Sequence, residues 1–507
     1  MIVKKICVIG AGISGLVTAK TFIEAGYDVT VLEKQPGLGG VWEKSRTYPG
    51  LTTQNTRDTF CFCDYPMPES YPEWPTAEDM RNYLQSYAQD FGVTPRIQFK
   101  TEVTNVTRKT QGNPGWVVTT KGVKGEQQQE FDFVIICNGT FSIPKVPTIP
   151  GMQEFIAAGG KILHSTEFNS SEQIAGKRLV VVGFGKSAAD IATFATDKAQ
   201  ECTLVFRRAT WKLPKFFLGK VNMKHILLTR FAEAWQPYRQ LQTGERLLHT
   251  LGKPLVWAFW RTNETVVRRQ LGLDECGMVP DEPLNQINCS GNLVDDRFFP
   301  YVRSRKIKAQ KTEISRFVNG GVELANGQFV SADVVVFATG FRQDIPFLET
   351  KYRQLLIDRQ QNFRLYRHLI HPEIPQMGFV GYNSSFFSQL TSELGAWWLL
   401  EYLNGNLALP PIDQMYTDIQ AELDWIQKKF AASTANGFCI NQFTLRYLDQ
   451  LMIDMGATTN PHPIWQGISQ VMKPVDPLAY GEARREWQSR RTLRGKDALA
   501  QKSLIGK

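Results

Sequence analysis

The sequence predicts an α/β fold made of two Rossmann-like dinucleotide-binding domains, one inserted into the other. Three observations carry this expectation. A strand-like run, Ile6-Cys7-Val8-Ile9, leads into Gly10-Ala11-Gly12-Ile13-Ser14-Gly15 and an apolar-periodic stretch over 16–25. The same order returns downstream, with Leu179-Val180-Val181-Val182 ahead of Gly183-Phe184-Gly185-Lys186-Ser187-Ala188. Residues 333–340 echo residues 132–139, each an apolar run closing on glycine, and the two runs bracket the second motif.

In the first motif Gly10 permits the tight turn. Gly12 lets main chain approach a pyrophosphate, and Gly15 lets the helix pack close on its strand. The helix N-terminus, including Ser14, then offers free N–H groups to phosphate. The next strand, Val29-Thr30-Val31-Leu32, ends in Glu33, 23 residues after Gly10, placed to accept from ribose hydroxyls. Lys34 follows it. Gly39-Gly40-Val41-Trp42 permits backbone to lie flat against a ligand beside an aromatic wall.

Composition bounds the rest. A chain of 507 residues suits two or three domains, and 42% hydrophobic with 21% charged residues is ordinary for a globular protein. No apolar run reaches the roughly 18 residues a membrane span needs. Met1 runs directly into the first strand, so no signal peptide is expected. Eight cysteines without metal-ligand spacing fit reduced thiols in a cytoplasmic setting. The net charge of +9 is uneven: residues 484–507 hold eight basic and two acidic side chains. They read as a solvated basic tail. Peripheral membrane contact stays open, and no nucleic-acid motif is present.

Along the chain, 48–56 (Tyr48-Pro49-Gly50 through Gln54-Asn55-Thr56), followed by Phe60, Phe62 and Tyr65, suggests a loop that hydrogen-bonds a flat heterocycle; a surface turn is the alternative. Thr76 with Asp79 marks a helix start in capping-box spacing. Strands are expected over 97–99, 103–107, 116–120 and 131–136, with a turn at 112–115. Pro144, Pro147 and Pro150 mark an extended connector. In the second motif Ala188 takes the third-glycine place, and the strand over 203–206 ends in Arg207-Arg208, where Arg207 lies 24 residues after Gly183. A guanidinium there suits a 2′-phosphate, so the second site reads as NADP rather than NAD; solvated arginines are the alternative. Residues 212–300 are helical and aromatic-rich, fitting a lid, a subunit contact, a membrane-surface patch or plain packing. A helix is expected over 390–403 and another over 412–430.

Two dinucleotide sites in one chain imply electrons passing between cofactors: FAD at the acid-tipped site and NADPH at the arginine-tipped one. Reduced flavin can pass its electrons to a disulfide, an external acceptor or oxygen. Cys61-Phe62-Cys63 lacks C-x-x-C redox spacing, which argues against the disulfide, and of the other two dioxygen is the favoured acceptor.

The pattern over residues 5–410 resembles the class B flavin monooxygenases, and among them the flavin-containing monooxygenases. The resemblance rests on the Gly10/Gly12/Gly15 motif, Glu33, Gly39-Gly40-Val41-Trp42, the Asn55 loop, the second glycine motif and Ala338-Thr339-Gly340. Gly160, His164 and Phe168 match the family's histidine motif, whereas Ala158 stands where its first aromatic belongs. The resemblance implies that His164 links the domains and that Asn55 is the active-site asparagine, holding NADP and a flavin hydroperoxide. It implies a cofactor set of Gly10, Gly12, Ser14, Gly15, Glu33, Lys34, Gly40, Val41, Trp42, Gln54, Asn55 and Val103, with Gly183, Gly185, Lys186, Ser187, Ala188, Arg207, Arg208, Thr339 and Gly340. The implied activity is oxygen transfer to an amine nitrogen or sulfide of a small molecule, as in N,N-dimethylaniline oxidation. Baeyer–Villiger oxidation of ketones and a flavin-dependent halogenase or hydroxylase are the alternatives, and a homodimer is left open. The expected layout is an FAD-binding domain over 1–163, an NADP-binding domain over 164–324 with a helical insertion at 212–300, the rest of the FAD domain with substrate-side helices over 325–470, and the tail over 471–507.

Overall fold

The structure is a computed structural model describing residues 3–241, 243–286, 291–383, 385–429, 444–457 and 471–489. Two five-stranded parallel sheets organise it. In the first, Lys5–Ile9 lies at the centre, pairing with Asp28–Leu32 on one side and Phe133–Ile136 on the other. Ile97–Gln98 and Met377–Phe379 form the edges. Both faces are covered, so the central strands are continuous apolar runs rather than alternating ones. Helix Ile13–Glu24 covers one face, and helix Ser388–Leu403 packs on it. That second helix is buried almost all round, which explains a sequence too apolar to show a polar face.

The second sheet is ordered Ile307–Lys311, Glu201–Phe206, Arg178–Val182, Val334–Phe337, Lys161–His164. Helix Lys186–Ala195 follows its central strand, as expected. The insertion is therefore real, since Met377–Phe379 returns to the first sheet, but its bounds differ from 164–324. Lys161–His164 and Val334–Phe337 both belong to the second sheet. The crossing is an antiparallel ribbon in which Phe341 pairs with Pro144 and Arg342 with Ile143. The echo between 132–139 and 333–340 marks not two ends of one sheet but the same place in two sheets. Each strand lies directly beside the strand that precedes a glycine turn.

Glu102–Arg108, Trp116–Gly122 and Gly125–Phe131 form an antiparallel layer that packs on the first sheet, Val103, Val106, Trp116 and Val118 sharing a core with Ile9, Val134 and Ile136. Thr76 caps helix Ala77–Asp90 in a complete capping box with Asp79. Residues 212–300 supply short strands and helices, including Thr243–Thr250 and Lys253–Leu271. Leu247, Leu251, Leu255 and Trp257 stand exposed where these two helices meet. Among the described residues no helix is long and apolar enough to cross a membrane.

The solvated tail expected from residue 471 needs correction. Residues 477–489 are helical, and Val475, Tyr480, Ala483 and Trp487 pack on the first core. A Cβ on Gly481 would lie 2.5 Å from the Cys63 carbonyl, and Arg484 lies 4.1 Å over the Trp397 ring. Apolar residues spaced along a helix that carries two arginines and two glutamates bury one side of it, which the charge of the tail does not reveal. The remainder, 490–507, lies outside the described residues.

Candidate active site

At the first turn Gly10 holds φ +107°, a conformation that favours glycine, and a Cβ there would meet the Cys137 carbonyl at 2.6 Å. Gly15 is constrained more tightly still, since a Cβ would fall 1.8 Å from the Gly10 carbonyl. Gly12 caps helix Ile13–Glu24 without a side-chain hydrogen bond, which leaves the first N–H groups for an anion. The Gly39–Gly40 segment lies over this turn. Gly39 N–H donates to the Ala11 carbonyl at 2.9 Å, and Gly40 Cα sits 3.4 Å from where a Gly12 Cβ would be.

Glu33 is buried beside the turn, and its carboxylate accepts from Ala11 N–H at 2.7 Å and Gln35 N–H at 2.8 Å. Ser14 Oγ pairs with Ser392 Oγ at 2.9 Å. Lys34 is exposed, Val41 half-buried, and Trp42 buried with its ring edge-on to Phe60. The Val103 side chain enters the core with Ile9 and Leu32, so only its main chain is left to face a ligand. A glycine cradle, uncapped helix N–H groups and a buried acid at its lip fit a flavin dinucleotide.

The second turn repeats the first. Gly183 holds φ +128°, and a Cβ would meet the Ala338 carbonyl at 2.4 Å. Gly185 caps helix Lys186–Ala195 without a side-chain bond, and a Cβ there would meet nothing within 4 Å. Ala188 is fully buried against the sheet, and Ser187 is half-buried. Arg207 and Arg208 are exposed directly after strand Glu201–Phe206, and neither has an ion-pair partner among the described residues. Lys186, expected to face a cofactor, pairs with Asp190 at 2.6 Å. Thr339 donates to the Lys145 carbonyl, and Gly340 O meets His164 Nε2 at 3.0 Å, so both stand at the crossing ribbon beside the second turn. Burial lowers the His164 pKa, in keeping with a neutral ring that bonds Thr166 Oγ1 on one side and the Gly340 carbonyl on the other.

The two turns are brought together by the 48–55 loop. Tyr48 OH donates to Asp190 Oδ2 at 3.1 Å, and Leu293 N–H donates to Gln54 Oε1 at 3.2 Å. Asn55 is 3% exposed, and its Nδ2 donates to the Phe386 carbonyl at 2.8 Å. That anchor turns its amide oxygen into the remaining acceptor. Helix Ser388–Leu403 holds the same loop further along: Gln389 Nε2 donates to the Phe60 carbonyl at 3.3 Å, and Cys63 N–H donates to Glu393 Oε2 at 2.7 Å.

Sequence reasoning missed Glu393 and Lys212. Glu393 is fully buried, and desolvation lifts it to about 7. Its only signal was its place, with Glu401, as one of two acids inside the apolar 390–403 run. Cys61 and Cys63 are free and buried, and desolvation lifts the Cys61 thiol to about 12 and Cys63 well above its usual value. Neither is a ready thiolate.

Two glycine turns, with the 48–55 loop reaching from the first unit to the second, define a two-nucleotide scaffold. The family model for flavin-binding monooxygenase-like proteins matches residues 3–465, and the chain belongs to that family. A probable flavin-containing monooxygenase 1 of Arabidopsis thaliana is 27% identical, with 93% of this chain and 94% of that protein covered. The N-oxide-forming dimethylaniline monooxygenase 2 of Oryctolagus cuniculus is 26% identical, with 90% and 83% covered. Among solved structures, an oxidized steroid monooxygenase bound to NADP superposes with a TM-score of 0.68 at 19% identity, covering 89% of this chain and 97% of that one. This last likeness speaks for the fold.

Proposed function

We propose that the protein is an FAD- and NADPH-dependent monooxygenase that transfers one atom of dioxygen to a soft nucleophile, an amine nitrogen or a sulfide, of a small organic substrate. The observation that carries this is the 48–55 loop, which bonds the second turn's helix through Tyr48 and the Phe386 carbonyl of the first unit through Asn55. When bound, FAD supplies the oxygen chemistry and NADPH the hydride.

The chain's own residues bind, orient and keep water out. Gly10, Gly12, Gly15 and Glu33 hold the flavin dinucleotide, with Ser14, Lys34, Gly40, Val41, Trp42, Gln54 and the Val103 main chain around it. Gly183, Gly185, Ser187, Ala188 and the arginine pair hold NADPH, with Thr339 and Gly340 beside them. Asn55, anchored through Nδ2, presents its oxygen to the reacting region from a site closed to solvent. No protein nucleophile is required. The relative that forms N-oxides supports nitrogen as acceptor. Baeyer–Villiger oxidation is the second reading, favoured by Tyr48-Pro49-Gly50, which the Baeyer–Villiger branch shares. A cytoplasmic location and a homodimer belong to the same proposal.

Reduced, flavin-loaded protein mixed with oxygen and then offered amines, sulfides and ketones tests the choice. Amine or sulfide oxygenation is expected, and turnover of ketones alone would reverse it. Asn55→Ala should divert oxygen to hydrogen peroxide, raising peroxide per product roughly tenfold for one lost hydrogen bond. Unchanged coupling would remove Asn55 from the site.

A further inference from the structure

A buried cation, Lys212, touches the second glycine turn. Lys212 is 1% exposed. Its Nζ donates to the main-chain carbonyl of Phe184, the middle residue of Gly183-Phe184-Gly185, and to Thr210 Oγ1 at 3.4 Å. It also lies 4.9 Å over the Phe184 ring.

Among the described residues Lys212 has no ion-pair partner. The acid that acts on it is Asp190, which Lys186 already holds at 2.6 Å and Tyr48 at 3.1 Å. The charged groups that act on it are Asp190 and Lys186 on the helix after the turn, and Asp190 in turn feels Asp295 beyond strand Asn292–Leu293 and Tyr48 from the loop of the first unit. Lys212 itself pairs with Asn292 across a short parallel ribbon, and the neighbouring Leu293 bonds Gln54. The lysine therefore sits where the second turn, the insertion and the Asn55 loop converge. Burial pushes its ammonium down to about 7.

A cation sealed from water without a counter-ion either sheds its proton or is matched by an anion. The turn it touches is the one whose uncapped N–H groups suit a pyrophosphate. We infer that Lys212 is a further dinucleotide-binding residue, the buried counter-charge to the pyrophosphate held on the second glycine turn, which takes up a proton from solvent when the nucleotide binds. This rests on the reading of that turn as the NADPH site. It assigns Lys212 a task distinct from that of Arg207 and Arg208. They meet the 2′-phosphate from outside, whereas Lys212 senses the charge common to NADP and NAD.

Titration calorimetry of the flavin-loaded protein with NADP⁺ and NAD⁺ at pH 8, in two buffers of different ionisation heat, tests it. Wild type should take up close to one proton with either nucleotide, and its affinity should fall by up to about tenfold per pH unit above 7. Lys212→Met should bind both nucleotides more weakly by the same factor, roughly tenfold, without proton uptake. Lys212→Arg, charged throughout, should bind without uptake and serves as the test should the methionine variant not fold. Wild-type binding without proton uptake, uptake that survives either substitution, or a loss confined to NADP⁺ would overturn the assignment. Wild type that binds neither nucleotide would sink the NADPH reading along with it.

Discussion

At the first glycine turn a Cβ on Gly12 would lie 3.4 Å from Gly40, whereas one on Gly185, at the matching place in the second turn, would meet nothing within 4 Å. Both turns begin alike, with a left-handed glycine against the carbonyl that follows the neighbouring strand, Cys137 in one and Ala338 in the other. They part after that. The first is overlaid by the 39–40 segment, its acid is buried, and its third glycine tolerates no side chain. The second is open, its arginines face solvent, and an alanine fills the third place. One motif thus serves two tenancies. A covered cradle suits a cofactor that stays through many cycles, and an uncovered one suits a nucleotide that must arrive and leave.

The sharpest way to break that contrast is to add one methyl group to each cradle. Gly15→Ala, with its Cβ 1.8 Å from a main-chain oxygen, should yield colourless or misfolded protein, read directly from flavin absorbance after purification. Gly185→Ala, in open space, should purify yellow and change the NADPH Michaelis constant by only a few-fold, through local backbone effects of about 1 kcal/mol or less. Equal damage from both would mean that the second turn is as enclosed as the first.

Next in size is the double change Arg207→Ala with Arg208→Ala. Removal of charge-assisted contacts to a phosphate, about 1.5–3 kcal/mol, should raise the Michaelis constant for NADPH ten- to a hundred-fold while leaving NADH nearly unmoved. Parallel shifts for the two nucleotides would take the 2′-phosphate role away.

The smallest effect concerns stability. Glu393 carries a folded pKa raised to about 7, so the folded state holds its proton more firmly than the unfolded chain does. The stability from this group is fully present below the ordinary glutamate value and is lost as pH rises toward 7. Chemical denaturation of wild type against Glu393→Gln between pH 5 and 8 should show this slope only in wild type, on the order of 1–2 kcal/mol. A slope that persists in the variant would assign it to other groups.

Most of the nucleotide architecture was legible because close backbone approach leaves few residue choices. Gly10, Gly15 and Gly183 stand where they must, and Glu33 is buried beside the first turn at the spacing the motif requires. What escaped has physical reasons. Gly125–Phe131 is a strand of glutamines and glutamates that leaves most of its side chains in water, so it carries no apolar alternation. The run at 333–340 was assigned to the wrong sheet because a buried parallel strand records its burial and not its neighbours. Lys212 and Glu393 looked like surface residues, since a lone charge acquires its meaning only from what packs around it after folding. The helix over 477–489 went unread because the charge of residues 484–507 says nothing of the apolar side that Tyr480, Ala483 and Trp487 bury.

The ribbon that joins Ile143–Pro144 to Phe341–Arg342 has a consequence for how the molecule is made. During synthesis the inserted sheet has all its strands once Phe337 has emerged, while the sheet begun at Lys5 still lacks Met377–Phe379 and the Ser388–Leu403 helix that covers Ile13–Glu24. The part of the protein translated first is thus the part finished last. The later-born module can settle while the exposed apolar strands of the earlier one wait for their cover, the interval in which a nascent chain of this layout most needs shielding from aggregation.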